Sequence, residues 1–188
     1  NCSYCGIKEA IGTHKSKSIE KIMGEFRQGL NKGYKHFVIN ADDIGAYGTD
    51  INSSFAELLD KMTSISGEYD LSIANLSPRW LITYIDDLEE IFKKQKIIRL
   101  GIPIQSGSSR ILKLMNRYHD AEKIKESLLR LKTAFPNLSL HTHIIVGFPT
   151  ETDEEFKQTL SFIKDSNISA GQLNIFSRKS GAEAENIE

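Results

Sequence analysis

Cysteine is scarce in this chain: two of 188 residues, Cys2 and Cys5, and no other position supplies a thiol. Any disulfide would have to join these two to each other. At C-x-x-C spacing they could instead share one metal or cluster. A charge surplus is also lacking, with 24 Lys and Arg against 25 Asp and Glu. No global basic field draws the chain to nucleic acid or an anionic membrane, so any polyanion would need a local patch. The basic residues around Lys8, His14, Lys15 and Lys17 are the candidate for one. No apolar run approaches the roughly 20 residues of a membrane span, and no charged-then-apolar signal opens the chain. The expectation is a cytoplasmic protein without a membrane partner, its thiols reduced and available to metal. The chain opens on Asn rather than Met, and the expectation is one domain, residues 1–188, taken from a longer protein. Its length suits a single core burying about 70% of the unfolded surface.

Zinc would need two ligands beyond the thiols. The five histidines, His14, His36, His119, His141 and His143, show no H-x-x-x-H spacing. His141 and His143 stand at i and i+2, on one face of a strand, and are a weak completion.

Amphipathic stretches alternate with short β-branched runs, the pattern of βα units repeated around a parallel sheet. Apolar residues at 19, 22, 23, 26 and 30 predict a helix over 18–30, with Ser18 as N-cap and Gly33 beyond its end. Strands are expected at 37–41, 71–75, 98–104, 138–146 and 171–176. Helices are expected at 53–65, 110–115, 121–135 and 153–165 and, from a Ser77-Pro78 start, along the amphipathic stretch 80–94, Pro78 suiting the first helical turn. Right-handed crossovers place the loops after the strands on one edge, where ligands bind in α/β folds. The polar and Gly-rich segments 42–50, 105–109 and 147–152 therefore converge.

Five ordered motifs carry a resemblance. Cys2-Ser3-Tyr4-Cys5 is similar to the second half of C-x-x-x-C-x-Y-C, whose first cysteine would lie three residues before Asn1. Residues 41–50 resemble G-Q-D-x-G-x-Y-G-x-D, and 103–117 resemble P-L-Q-S-G-S-x-x-I-L-x-x-M-x-R. Residues 142–152 resemble T-D-x-I-V-G-F-P-G-E-T, and 176–184 resemble Y-S-x-R-x-G-T-x-A. Over nearly its whole length the chain thus resembles the methylthiotransferase branch of the radical S-adenosylmethionine enzymes.

The resemblance implies a partial (βα)6 TIM-like barrel of the α/β class, with its first strand missing. It implies a four-iron four-sulfur cluster on Cys2 and Cys5, and S-adenosylmethionine chelated by the open iron. Reductive cleavage of a carbon–sulfur bond then gives a deoxyadenosyl radical, for which an electron donor is needed. The chemistry resides in the cofactor, and no side chain is assigned as a catalytic base or nucleophile. Sulfur insertion into a tRNA base or a ribosomal-protein side chain is the reaction implied. A divergent radical reaction on a peptide or small molecule, and a non-catalytic α/β binding domain with a vestigial C-x-x-C, are the alternatives.

Each candidate contact has a plainer reading beside it. Asp42 and Asp43 either receive the cofactor's ammonium or solvate a strand end. Gln105 and Ser106 either meet the ribose or methionyl group or are turn residues. Gly147 allows close approach of adenine, with Ile145 and Val146 as an apolar wall, or is a turn before Pro149. Arg117, like Arg110, is a carboxylate partner or a solvated helix charge, and Tyr4 shields the cluster or packs its loop. Five departures bear on substrate: His143 where the pattern has Asp, Thr150 and Ala41 where it has Gly, no I-P or V-P run in residues 6–10 after Cys5, and no arginine on the strand at 71–75.

Overall fold

A computed structural model of the chain describes residues 2–7 and 12–187. Its five strands are β1 His36–Ile39, β2 Asp70–Ile73, β3 Ile97–Gly101, β4 Ser139–Val146 and β5 Ala170–Ile175. All are parallel, and their order across the sheet is their order in the chain. A chain that always steps to the same side winds a βα-barrel; a doubly wound sheet would reverse direction. The barrel is not closed, since among the described residues β1 and β5 are the two edges.

Helix α1, Ile19–Asn31, starts where Ser18 accepts a hydrogen bond from the Lys21 amide, and it buries Met23 and Phe26. Helix α2, Phe55–Thr63, starts in the same way from Ser54. The stretch expected as one helix over 80–94 is two, α3 Pro78–Thr83 and α4 Ile85–Phe92. The break is at Tyr84, which leaves helical geometry at φ −106°, stacks on Trp80 and donates its hydroxyl to the Gly45 carbonyl. Rotating α4 against α3 lets Leu81 and then Leu88, Ile91 and Phe92 all reach the core. Helices α5 Ser109–Leu114, α6 Ala121–Ala134 and α7 Asp153–Asp165 follow. Among the described residues no helix is long and apolar enough to cross a membrane.

Side chains alternate across the sheet. Leu71, Ile73, Leu100 and Leu140 point to the helices and are buried with Phe55, Leu59, Leu88 and Leu128. The other face mixes polar groups, the His36–Asp70 pair, Arg99, His141 and His143, with apolar Val38 and Ile145. Strand β3 stops at Gly101, short of the expected 104. A side chain at Gly101 would overlap the Ala74 carbonyl, so backbones cross there at a distance only glycine permits. The chain rejoins the sheet at Gln105, as an isolated bridge to Ile144.

Candidate functional site at the C-terminal edge of the sheet

Cys2 and Cys5 flank a tight turn closed by the Cys5 amide on the Cys2 carbonyl at 3.2 Å, and both thiols are free and half-buried. Between them Ser3 is 4% exposed and anchors the turn. Its amide donates to Met115 O at 3.0 Å and its hydroxyl to Leu114 O at 2.7 Å. Ser3 thus satisfies carbonyls that the end of α5 would leave unpaired. Its own carbonyl accepts from the Ala184 amide at 2.8 Å.

Arg117 completes the seat. Nη1 lies 3.2 Å from Cys2 Sγ and 3.3 Å from the Tyr4 hydroxyl, while Nη2 donates to Pro103 O at 2.5 Å. Tyr4 packs edge-on against Phe148, which packs on Phe176, over Ile111, Met115 and Ala184. Burial pushes the Tyr4 pKa well up, with Arg117 pulling the other way, so the phenol stays protonated at neutral pH.

Gln105 sits at the next loop with φ +77° and is 8% exposed. Its amide donates to His143 O, and its carbonyl accepts from Ile145 N at 2.9 Å. Its side-chain Oε1 is buried with no partner among the described residues, as is Arg117 Nε. A left-handed non-glycine residue costs about 1–3 kcal/mol, and buried polar atoms are ordinarily paired. Both features set Gln105 apart from an ordinary turn residue.

The other expected contacts divide. Ser106 is fully buried and faces α7, its hydroxyl 3.3 Å from Thr159 Oγ1 and accepting from Ser108 N. Gly147 has φ +70° and open space around it, and its amide donates to Glu151 Oε2 at 2.7 Å. Asp42 and Asp43 are exposed at the end of β1, two strands from β3, with no side-chain hydrogen bond among the described residues. The rest of their loop is architectural. Tyr47 donates to Lys17 O, Asp50 accepts from Ser16 N, and Gly48 N donates to Ser16 Oγ. Those bonds clamp the segment before α1 onto the strand end.

The structure therefore brings Cys2, Tyr4 and Arg117 into contact and joins Gln105 to Ile145, whereas Ser106 turns away and the aspartates stand apart. No group of three or more His, Cys, Asp or Glu suited to a metal forms among the described residues, so His141 and His143 do not complete a zinc site. Of the basic patch, Lys8 lies outside the described residues, His14 faces Asp50 at 3.4 Å and Lys17 pairs with Glu25.

Glu155 is a residue the sequence reading passed over. It is 8% exposed, and its two oxygens take Arg110 Nε and Nη2 at 2.7 Å each and Ser108 Oγ at 3.0 Å. It also closes a capping box with Thr152. The Arg110 hydrogen bonds, assisted by those from Thr152 and Ser108, hold its pKa down to about 2. One carboxylate thus locks the loop after β3 to the loop after β4. The T-x-x-E spacing at 152–155 was the available signal. Arg110 also grips Thr150 through Oγ1 at 3.1 Å and through its carbonyl at 2.7 Å, and Thr150 holds φ +66°.

The family model for the Radical SAM superfamily matches residues 1–163. The chain is 38% identical over 164 residues to a protein of Pyrococcus horikoshii described as a probable threonylcarbamoyladenosine tRNA methylthiotransferase, covering 87% of this chain and 39% of that protein. It is 35% identical over 190 residues to the tRNA-2-methylthio-N(6)-dimethylallyladenosine synthase of Clostridium botulinum strain Hall, covering all of this chain and 42% of that protein. The chain thus spans about two fifths of these relatives. Among solved structures, the radical S-adenosylmethionine methyltransferase TsrM of Kitasatospora setae superposes with a TM-score of 0.75 at 11% identity, over 93% of this chain and 34% of that one. Coproporphyrinogen III oxidase of Escherichia coli gives 0.66 at 19% identity, over all of this chain and 44% of that one. The singly wound parallel sheet, the cysteine turn at its C-terminal edge and the family match agree: the chain belongs to the radical SAM superfamily.

Proposed function

We propose that this chain is the cluster- and S-adenosylmethionine-binding barrel of a cytoplasmic enzyme that adds a methylthio group to a tRNA adenosine. The observation that carries the reading is the Cys2–Cys5 turn seated on Arg117, which also holds the Pro103 carbonyl two residues before Gln105, whose amide oxygen is unpaired among the described residues. The residues present fit the cofactors in part. Two soft thiol donors suit an iron–sulfur cluster, whose usual protein set is thiolate, and the chain supplies two of the three such a site takes. A cluster held by Cys2 and Cys5 would supply the electron, taken from an electron donor, for cleavage of a carbon–sulfur bond of S-adenosylmethionine.

The chain's own side chains bind and orient. Arg117, positively charged and 3.2 Å from Cys2 Sγ, has a buried Nε that no described residue occupies and that suits a cofactor carboxylate. Gln105 Oε1 accepts from a ribose hydroxyl or the ammonium, a role in which Asp42 and Asp43 assist from β1. Ile145 and Gly147 offer an apolar wall and an unobstructed backbone for adenine, Tyr4 covers the cysteine turn, and Ser106 keeps the Gln105 loop on α7. With 24 basic against 25 acidic residues, tRNA is held chiefly by parts of the whole protein beyond this barrel.

The test is anaerobic reconstitution with iron and sulfide, followed by reduction in the presence of S-adenosylmethionine. Cys2→Ser and Cys5→Ser in the whole protein should each abolish release of 5′-deoxyadenosine and lower bound iron. Release at the unsubstituted rate by both variants would sink the reading.

A further inference from the structure

Beyond Gly101 the pairing of the third strand with β4 carries a bulge, and one hydroxyl sits inside it. Ile102 N donates to His141 O at 2.8 Å, and the next matching bond, to His143 O, comes from Gln105 N where a regular ladder would use Ile104 N. One residue is therefore extra on the Gln105 side. Thr142 faces this gap from β4. It is 3% exposed and stands in a row with buried Leu140 and Ile144, where the alternation of the strand calls for an apolar side chain. Its Oγ1 donates to Ile102 O at 2.8 Å and accepts from Ile104 N at 3.3 Å, the His143 carbonyl at 3.4 Å being a more distant acceptor. Gly171 of β5, in register with Thr142, leaves room for its methyl, since a side-chain carbon there would stand 3.2 Å from Thr142 Cγ2.

The two groups that this hydroxyl holds belong to the peptides on either side of Pro103. Ile104 N–H shares a planar trans peptide with the Pro103 carbonyl, so the two point in opposite directions. Fixing the N–H on Thr142 therefore aims the carbonyl the other way. There Arg117 Nη2 donates to it, while Arg117 Nη1 stands 3.2 Å from Cys2 Sγ. Ile102 and Ile104 are both buried, so bulk water does not replace the hydroxyl. We propose that Thr142 is a positioning residue for the cysteine turn: through the Pro103–Ile104 peptide, its hydroxyl sets where Arg117 stands against Cys2. Its part in holding a cluster rests on the reading above. A hydroxyl that merely filled the bulge would matter to the sheet around it, and would do so whatever Arg117 does.

Hydrogen exchange in the metal-free chain, followed by NMR, reads the turn without a cluster. Thr142→Val keeps the shape and removes the hydroxyl; it should speed exchange of the Ser3 and Cys5 amides at least about fivefold and leave those of β1 and β2 unchanged. Thr142→Ser should keep most of the protection. With Arg117→Met already in place, Thr142→Val should add less than about twofold. Exchange at the turn untouched by Thr142→Val, equal acceleration across the sheet, or the full effect persisting beside Arg117→Met would each overturn the inference. Should Thr142→Val not fold, Thr142→Ser decides: protection kept at the turn upholds the hydroxyl, and protection lost there shows the methyl to be what counts. The cluster reading is judged apart, by 5′-deoxyadenosine release from the cysteine variants. Normal release there with the exchange effect present sinks that reading alone, and lost release with no exchange effect sinks this inference alone.

Discussion

Arg117 bridges Cys2 Sγ and the Pro103 carbonyl, so one guanidinium ties the cysteine turn to the chain emerging from the third strand. A charged hydrogen bond of this kind contributes about 1.5–3 kcal/mol. Its loss should loosen the turn before it harms the sheet. Arg117→Met should lower the iron retained after anaerobic reconstitution by more than half, and Arg117→Lys should recover part of it. The far-ultraviolet circular dichroism of both should match the unsubstituted chain. Iron retention unaffected by Arg117→Met would show that the contact is incidental.

Glu155 sets a pH dependence. Its folded pKa of about 2 lies below its ordinary value of 4.5. The stabilisation is therefore complete above about pH 4.5 and is lost as pH falls towards 2. The full shift would correspond to about 3 kcal/mol, but the Arg110 side chain is 50% exposed and solvent screens the pair, so about 1–2 kcal/mol is expected. Urea unfolding at pH 6 and pH 2.5 should show Glu155→Gln losing less stability on acidification than the unsubstituted chain, by that amount. Equal losses would mean that the carboxylate does not lock the two loops.

Two glycines should respond in opposite directions. Gly101→Ala would force a methyl into the Ala74 carbonyl, backbone against backbone, and should destabilise by at least about 2 kcal/mol. Gly24 lies within α1, with nothing within 4 Å of the added carbon. Gly24→Ala should stabilise by about 0.5–1 kcal/mol. Thermal melts of both variants decide, and a neutral Gly101→Ala would contradict the strand crossing described.

Thr150 stands at φ +66° where the family pattern has glycine. A β-branched residue is strained in that region. Thr150→Gly forfeits one exposed hydrogen bond from Arg110 and should still gain about 0.5–1 kcal/mol, read as a raised melting temperature. A fall would show that the Arg110 grip outweighs the strain.

What the sequence made legible is local in origin. The cap at Ser18 and alternating apolar runs placed the helices and strands to within a few residues. The errors fall where distant groups decide. Nothing in 80–94 announces that the Tyr84 hydroxyl will reach Gly45, and nothing in 98–104 announces that Gly101 will lie under Ala74. The cysteines, Arg117 and Gln105 were legible as motif positions. That Arg117 touches Cys2 was not, because 115 residues separate them. The Glu155 lock was hidden because a capping box accounts for a T-x-x-E pattern by itself.

The seat of the cysteine turn also orders how the chain can fold. Each strand pairs with the next one made, so the sheet can grow unit by unit behind a ribosome. Ser3 is the exception: it closes on Leu114, 111 residues later, and on Ala184. A loop that long closes late, after the contacts of lower sequence separation. The two thiols are therefore synthesised well before the surface that shelters them, and spend that interval open to oxidants and stray metal ions.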